Sequence, residues 1–220
     1  MKFASLYILI IFLLQFTGSA SAQKLLSEGY ILYDVVVESI NEPQQTVVSL
    51  QGTTAISYVK GNLSRTELKS NLGNSIVIHD SRNGNTVMLR EFGAQKILIR
   101  LNTKDWSERN RKYEGIVFTP TGEKKIIEGY NCIQAKATLL DGSHFLVYYT
   151  TELNIENKEM DPMFSDLPGV ALEFDSLLGS VNVKYTVKRI SFDPVPIQKF
   201  DIPTSGYREL SYQESIKMNH

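Results

Sequence analysis

The stretch VNVKYTVK, at residues 181–188, alternates strictly between apolar and polar side chains. Its apolar members, Val181, Val183, Tyr185 and Val187, fall on one side of an extended chain. Successive side chains of a β-strand point to opposite faces, so this period predicts a strand in a sheet with one dry face and one wet face. The same alternation recurs along most of the chain before this stretch.

Short connections between these runs predict antiparallel pairing. Further alternating runs occupy residues 29–39, 54–59, 75–79, 86–91, 95–101, 133–140, 144–150 and 169–174. Asn83-Gly84 and Asp141-Gly142 each separate two runs, and both dipeptides suit the positive φ of hairpin turns. A parallel crossover needs about a dozen residues or more. We therefore predict a mainly β fold, either a single curved antiparallel sheet or an incomplete barrel, with a β-sandwich as the alternative.

Helical patterns are scarce, and we expect one or two short helices. Residues 103–113 have Thr103 as a candidate N-cap, and residues 159–166 suit a short turn interrupted by Pro162. The first segment also carries the only patch that mixes basic and aromatic side chains, namely Trp106, Arg109, Arg111, Lys112 and Tyr113. A solvated helix explains this patch, and a docking surface is the alternative.

The N-terminus has the pattern of an export signal. One positive charge at Lys2 precedes an apolar run at residues 7–16, and Ala20-Ser21-Ala22 follows. A charged start, an apolar stretch of about ten residues and an A-x-A exit are typical of signal-peptidase substrates. The run is shorter than the roughly 20 residues of a membrane helix. We predict a signal peptide at residues 1–22, no transmembrane span in the mature chain, and a location in the periplasm or outside the cell.

The mature chain is expected to contain an antiparallel β domain, residues 23–193, and an extended C-terminal segment, residues 194–220. Pro194, Pro196 and Pro203 predict the extended conformation, because proline fixes φ and cannot donate to a sheet. The single cysteine, Cys132, cannot form an internal disulfide and is expected to be a small buried hydrophobe.

The charge balance gives no attraction to nucleic acid. Lys and Arg together number 23, Asp and Glu number 24, and the formal net charge is -1. A near-neutral chain has no electrostatic drive toward a polyanion, so no nucleic-acid partner is expected.

The sequence shows no catalytic, cofactor or metal motif. Asp141, Ser143 and His144 have the residue types of a hydrolase triad, but residues this close around a hairpin seldom align in the required hydrogen-bonded order. The other histidines, His79 and His220, lie far apart in sequence, so a histidine metal site would need distant positions to converge. We predict no enzymatic activity, no cofactor and no metal, and keep a hydrolase using Ser143 and His144 as an alternative.

The predicted strands carry more apolar surface than the predicted helices can cover. A large sheet needs a second layer over its dry face. If the sheet curls on itself or splits into a sandwich, the apolar residues are core. If part of the face stays open, it can hold an apolar guest. The candidate ligand-binding residues on this interpretation are Ile97, Ile99, Phe145, Val147, Tyr149, Val170, Leu172, Val183 and Tyr185.

Four short segments carry a family resemblance. They are GYNC at residues 129–132, AKA at 135–137, YYTTEL at 148–153 and LPGV at 167–170. In this order and spacing they resemble the GLPGLI family, exported proteins of diderm bacteria named for the segment that matches residues 166–171. The match is strongest over about residues 128–174. Asp166 stands where the family has a leading Gly, and Val170-Ala171 stands where it has Leu-Ile.

The resemblance implies a β-rich protein of the periplasm or envelope and brings no catalytic residue. Its exported, single-sheet character is similar to the lipoprotein-carrier fold, in which an incomplete barrel wraps over helices and shelters acyl chains. Within the motif, Pro168 fixes φ, and Gly169 permits a tight entry into the strand that follows.

The apolar face and the resemblance together give a functional hypothesis. The expected protein is a non-catalytic envelope protein that binds an apolar or amphipathic ligand, a lipid or a lipidated protein, on the concave face of its sheet. The alternative is a structural or interaction module that docks an envelope protein through residues 192–207 or through an unpaired strand edge.

Overall fold

The computed structural model describes residues 23–38, 43–178 and 180–218. The predicted signal peptide, residues 1–22, lies outside these ranges. No helix within them is both long enough and apolar enough to cross a membrane.

Fourteen strands dominate the described chain. They are β1 (Lys24–Leu26), β2 (Glu28–Val37), β3 (Thr54–Lys60), β4 (Leu63–Ser70), β5 (Gly73–Asp80), β6 (Asn85–Phe92), β7 (Gln95–Leu101), β8 (Val117–Ile127), β9 (Tyr130–Thr138), β10 (His144–Thr150), β11 (Leu153–Ile155), β12 (Val170–Leu178), β13 (Val181–Ser191) and β14 (Arg208–Ser211). Three α-helices accompany them, one more than expected: α1 (Gln44–Leu50), α2 (Thr103–Asn110) and α3 (Tyr212–Met218). Short 3-10 helices occur at Arg111–Tyr113, Lys158–Met160, Pro162–Phe164 and Ile197–Phe200.

Twelve of the strands form one sheet. Their order is β14-β7-β6-β5-β4-β3-β2-β13-β12-β10-β9-β8, and β1 pairs separately with β11. Neighbours in the large sheet are antiparallel except β14 and β7, which run parallel. The end strands β14 and β8 do not pair, so the sheet is curved but open. The predicted single curved antiparallel sheet is confirmed, in place of the sandwich alternative.

The predicted hairpins form, but their connections are longer than two residues. Residues 81–84 join β5 to β6, and residues 139–143 join β9 to β10. Gly84 and Gly142 both adopt positive φ, at 69° and 83°. The side chain of Asp80 accepts a hydrogen bond from the Arg82 amide at 3.1 Å, which adds a polar turn before the glycine.

The two faces of the sheet are covered differently. We name the face that carries Tyr33, Val147, Phe174 and Tyr185 the inner face, since these residues share one side across β2, β13, β12 and β10. Helix α2 and the segment between β11 and β12 pack on this side. Phe164 of that segment contacts Phe174 with ring centroids 4.8 Å apart.

The opposite, outer face of β4 to β7 is covered by the C-terminal segment. Val195 and Phe200 are buried there in a cluster with Ile76, Leu89 and Leu98. The Tyr207 hydroxyl donates to Glu91 Oε1 at 2.6 Å, and the Arg65 guanidinium donates to the carbonyl of Lys199 at 3.0 Å. The segment then adds β14 to the sheet and ends in α3. It therefore packs as part of the fold.

Candidate ligand-binding cleft

Most of the predicted ligand-binding residues lie in the core. Six are buried, namely Ile99, Val147, Tyr149, Val170, Leu172 and Val183. The other three, Ile97, Phe145 and Tyr185, are half-buried. The chain itself therefore covers a large part of the apolar face, and a guest could contact only the part that stays open.

One end of the inner face is sealed by the segments that cross it. His79 of β5 lies at this end and is 2% exposed. Its Nε2 lies 3.1 Å from Glu159 Oε2, its Nδ1 lies 2.8 Å from Thr86 Oγ1, and its ring stacks on Trp106 with centroids 4.9 Å apart. One imidazole therefore contacts both covering segments, α2 through Trp106 and the 3-10 helix Lys158–Met160 through Glu159.

A small cavity of about 30 Å³ remains beneath the sealing segment. Tyr33, Ser57, Asn157 and Asp161 contribute to its lining. The side-chain nitrogen of Asn157 is buried and has no hydrogen-bond partner among the described residues. A space of this size holds about one or two water molecules, which can satisfy such a group. The cavity is too small for an organic ligand.

Asp161, which lines this cavity, makes the stability of the folded protein depend on pH. Burial raises the pKa of its carboxyl from the ordinary 3.8 to about 6, and a hydrogen bond from the Met163 amide only partly opposes this. A pKa raised by folding means that the native state gains stability as the pH falls through that pKa. The charged carboxylate of Asp161 therefore destabilises the native state at neutral pH.

We expect Asp161→Asn to raise the free energy of unfolding at pH 7.5 by about 1–2 kcal/mol. The amide keeps the oxygen that accepts from Met163 and removes the buried charge. At pH 4, where the native carboxyl is protonated, the difference between the variant and the parent protein should shrink toward zero. Urea unfolding at both pH values measures it. An equal difference at the two pH values would contradict this explanation.

The other end of the inner face opens into a cleft of about 660 Å³, which the outer-face residues Asp175, Leu177 and Asn182 also line. It lies where β2, β10, β12 and β13 meet the chain that follows α2. Its apolar lining consists of Tyr113, Leu139, Phe145, Met163 and Leu177. Its polar lining consists of Glu38, Lys112, Asp141, Ser143, His144, Asp175, Ser176 and Asn182. Phe145 is the only one of the nine predicted residues that lines this cleft.

The carboxylates at the mouth of the cleft are already engaged. The Lys184 ammonium contacts Glu38 and lies 3.6 Å from the carboxylate of Asp175. Burial raises the pKa of Asp175, and Lys184 acts against this shift. Asp141 accepts hydrogen bonds from the amide and the hydroxyl of Ser143, at 2.8 and 2.6 Å. The mouth is therefore polar, and its carboxylates have hydrogen-bond or ionic partners within the protein.

The residues of the hydrolase alternative lie at this mouth without forming a triad. The Ser143 hydroxyl donates to Asp141, whereas nucleophilic catalysis requires it to donate to the imidazole. His144 makes no hydrogen bond with either residue within the described chain. The contacts are those of an Asp-Gly turn. The geometry gives the hydrolase alternative no support.

The other polar candidates are structural as well. Cys132 is 1% exposed, and burial raises the pKa of its thiol to about 11, so the prediction of a buried cysteine is confirmed. In the described ranges, no three His, Cys, Asp or Glu side chains are grouped closely enough to hold a metal ion.

Comparisons with known proteins give distant structural likenesses. No protein-family model and no curated protein matches the sequence. The structure of PNGF-II in a P21 crystal form is similar with a TM-score of 0.49 and 17% identity, covering 87% of this chain. The present chain spans 33% of the length of that protein.

Two further solved structures are similar with lower TM-scores. MucB has a TM-score of 0.42 and 10% identity, with 84% of this chain and 60% of MucB covered. A β-barrel-like protein of a domain of unknown function from Brucella abortus has a TM-score of 0.35 and 8% identity, with 77% and 99% covered.

Proposed function

We propose that this chain is an exported, non-catalytic envelope protein of the GLPGLI type that binds an amphipathic ligand in the cleft at the open end of its inner face. The observation that supports this proposal best is the cleft itself. Its volume of about 660 Å³ falls within the roughly 300–1,000 Å³ of small-molecule sites.

The lining of the cleft favours an amphipathic ligand over a purely polar one. Tyr113, Phe145 and Met163 offer an aromatic and thioether surface on the inner side. Asp141, Asp175 and their neighbours make the mouth polar. An apolar chain entering such a cleft gains about 25 cal/mol for each Å² of apolar surface buried, less the cost of ordering it. The polar group of the ligand can then remain near water.

Filling the cleft should weaken ligand binding. Ser176 is half-buried and lines the cleft beside Leu177, so Ser176→Trp places a large ring in the space that the ligand needs. We expect the delipidated variant to bind dansyl-undecanoate and the neutral amphiphile monolauroylglycerol at least about tenfold more weakly than the parent protein, a loss of about 1.4 kcal/mol. Fluorescence titration and native mass spectrometry measure this.

The matched control is Lys136→Trp, which places the same ring at an exposed position on the outer face. This variant should bind both amphiphiles like the parent protein. The proposal fails if the delipidated parent protein binds neither amphiphile. It also fails if the two tryptophan variants bind equally well.

A second candidate function is docking of an envelope protein at a strand edge. Among the residues that the structure describes, strand β8 pairs only with β9, and its other edge has no strand beside it. Val117 and Ile126 on this strand are 59% and 71% exposed. Docking through residues 192–207 loses support, because Val195 and Phe200 of this segment are buried against the sheet. Cross-linking in intact cells from position 126 separates the two functions, since a single protein partner without bound lipid would favour docking.

A further inference from the structure

One end of the large sheet carries a series of exposed apolar side chains. In an antiparallel sheet every second connection lies at the same end. The β4–β5, β6–β7 and β9–β10 connections therefore share one end with the start of β8 and the last residues of β2 and β12. We name this end the apolar rim. Its exposed apolar side chains, each between 48% and 79% exposed, include Val36, Leu72, Phe92, Val117, Leu140 and Leu177.

The connections at the opposite end of the sheet are polar. Residues 61–62, 81–84 and 128–129 join the strands there, and their sequences are GN, SRNG and EG. None of these residues has an aliphatic or aromatic side chain, whereas Leu72 and Leu140 lie in connections of the apolar rim. Apolar side chains grouped on one exposed surface are typical of an interaction site. The contrast between the two ends therefore indicates that the apolar rim meets something other than water.

The turns that carry these side chains are held in place by contacts with their neighbours. The Asn71 side chain donates at 3.2 Å to the backbone carbonyl of the residue that follows α1. Phe92 lies against the start of β5, where a Cβ on Gly73 would come within 2.8 Å of its ring. Leu140 lies beside the chain that enters β8, at 3.3 Å from a Cβ placed on Gly115. The apolar rim is therefore a set of ordered tips.

The ligand cleft opens at this rim. Leu177 lines the cleft and is 63% exposed. Asp141 and Ser143, which lie in the same connection as Leu140, line the mouth of the cleft. An amphipathic ligand that enters or leaves the cleft therefore passes beside exposed apolar side chains.

The lysines near Leu72 and Phe92 are paired with carboxylates. Lys69 lies 3.1 Å from Glu67, and Lys96 lies 3.2 Å from Glu91. These pairs give this part of the rim little attraction to an anionic surface. Contact with a partner must therefore come from the burial of apolar area.

We propose that the apolar rim docks on the surface of a lipid bilayer, so that the mouth of the cleft faces the membrane. Side chains carried on separate tips suit a fluid bilayer, which closes around each of them, whereas a protein partner needs a continuous complementary surface. The choice of a bilayer rests on the proposed function, because a bilayer is the phase that holds amphipathic ligands. The polar residues of the cleft mouth can remain hydrated among the lipid head groups.

Flotation with extruded vesicles tests this docking on the unmodified, delipidated protein. The protein should float with vesicles of pure dioleoylphosphatidylcholine. Adding about 20% dioleoylphosphatidylglycerol, or raising the NaCl concentration from about 0.1 M to about 0.5 M, should change the partition coefficient by less than about twofold, because salt screens only charge interactions.

Variants then assign the docking to the rim. The combined changes Leu72→Gln, Phe92→Gln and Leu140→Gln should weaken partitioning into the vesicles at least about tenfold. The three residues lie outside the lining of the cleft, so this triple variant should bind dansyl-undecanoate in solution like the parent protein. If the triple variant does not fold, Leu140→Gln alone should weaken partitioning at least about threefold, since Leu140 is 79% exposed.

The matched control is Ile126→Gln. Ile126 is 71% exposed and lies near the end of β8 that is remote from the apolar rim. This variant loses as much exposed apolar surface as a single rim variant. It should float like the parent protein.

The outcomes separate the docking from the proposed function. A parent protein that binds dansyl-undecanoate but does not float overturns the docking and leaves the ligand site. A triple variant that floats like the parent protein also overturns it. Self-association in sedimentation velocity without flotation, lost in the triple variant, overturns the bilayer and assigns the rim to a contact between copies of the chain. Flotation without binding of dansyl-undecanoate supports the docking and contradicts the proposed function.

Discussion

Replacing Gly169 by alanine is expected to lower the free energy of unfolding by about 3–5 kcal/mol. Gly169 has φ +158°, at the edge of the range that side chains rarely adopt. A Cβ at this position would lie 2.0 Å from the carbonyl oxygen of Thr150. That oxygen belongs to the backbone of β10, so the clash cannot be relieved by rotating a side chain. The strand pairing of β10 and β12 must shift.

Gly142→Ala is the matched control for this change. Gly142 also has positive φ, at +83°, but no atom lies within 4 Å of its added Cβ. Only backbone strain remains, which costs about 1–2 kcal/mol. Urea unfolding of both variants measures the difference. Equal losses would show that close approach to Thr150 is not the reason for glycine in the LPGV segment.

Truncation of Leu172 should have the second large effect. Leu172 is 0% exposed on β12, so Leu172→Ala removes fully buried carbon and leaves a cavity. The expected loss in the free energy of unfolding is about 3–4 kcal/mol. Leu177→Ala on the same strand should cost no more than about 0.5 kcal/mol, because Leu177 is 63% exposed. Chemical denaturation of the delipidated proteins gives both values.

These values also distinguish core from ligand surface. Leu172 was a candidate ligand contact from its alternation with Val170, and the structure places both in the core. A ligand-free Leu172→Ala protein of unchanged stability would contradict the sealed interior. It would mean that the covering segment lifts away from β12 in solution.

Period-two alternation was sufficient to predict the sheet. Val183 and Tyr185 lie on the inner face, while Lys184 and Thr186 lie on the outer face, as the pattern at residues 181–188 required. The reason is geometric, because successive side chains of a strand point to opposite faces whichever elements cover the sheet. The sequence also marked Gly169 as a tight entry into β12, but the steric demand comes from the carbonyl oxygen of Thr150 on β10, a tertiary contact that the motif does not show.

Most of the covering layers could not be predicted, because they depend on tertiary packing, although the capping box of Ser211 and Glu214 marks the start of α3 in the sequence. Helix α1 has no side-chain N-cap, so no terminal signal marks it in the sequence. Helix α3 is only seven residues long and is stabilised by contacts with β7 and β14. The segment from Pro194 lacks alternation, yet its apolar residues Val195 and Phe200 cover the outer face. Short helices and irregular segments gain most of their stability from such contacts.

The cleft was predicted only in part. Phe145 belongs to an alternating strand, so its apolar face was visible in the sequence. Tyr113 and Met163 come from two short 3-10 helices on other sides of the cleft, and only the folded chain brings them together. The basic and aromatic residues of α2 suggested a solvated helix. The structure instead turns Arg109 inward, where burial lowers the pKa of its guanidinium.

Methyl NMR of the protein with 13C-labelled methionines tests the central claim most directly. Met163 lines the cleft, whereas Met88 is 4% exposed in a separate cluster with Ile99 and Leu101. On titration of the delipidated protein with dodecanoate, we predict a saturable shift of the Met163 methyl signal and none for Met88. A Met163 signal that stays unchanged at saturating dodecanoate would contradict a ligand site at the open end of the inner face.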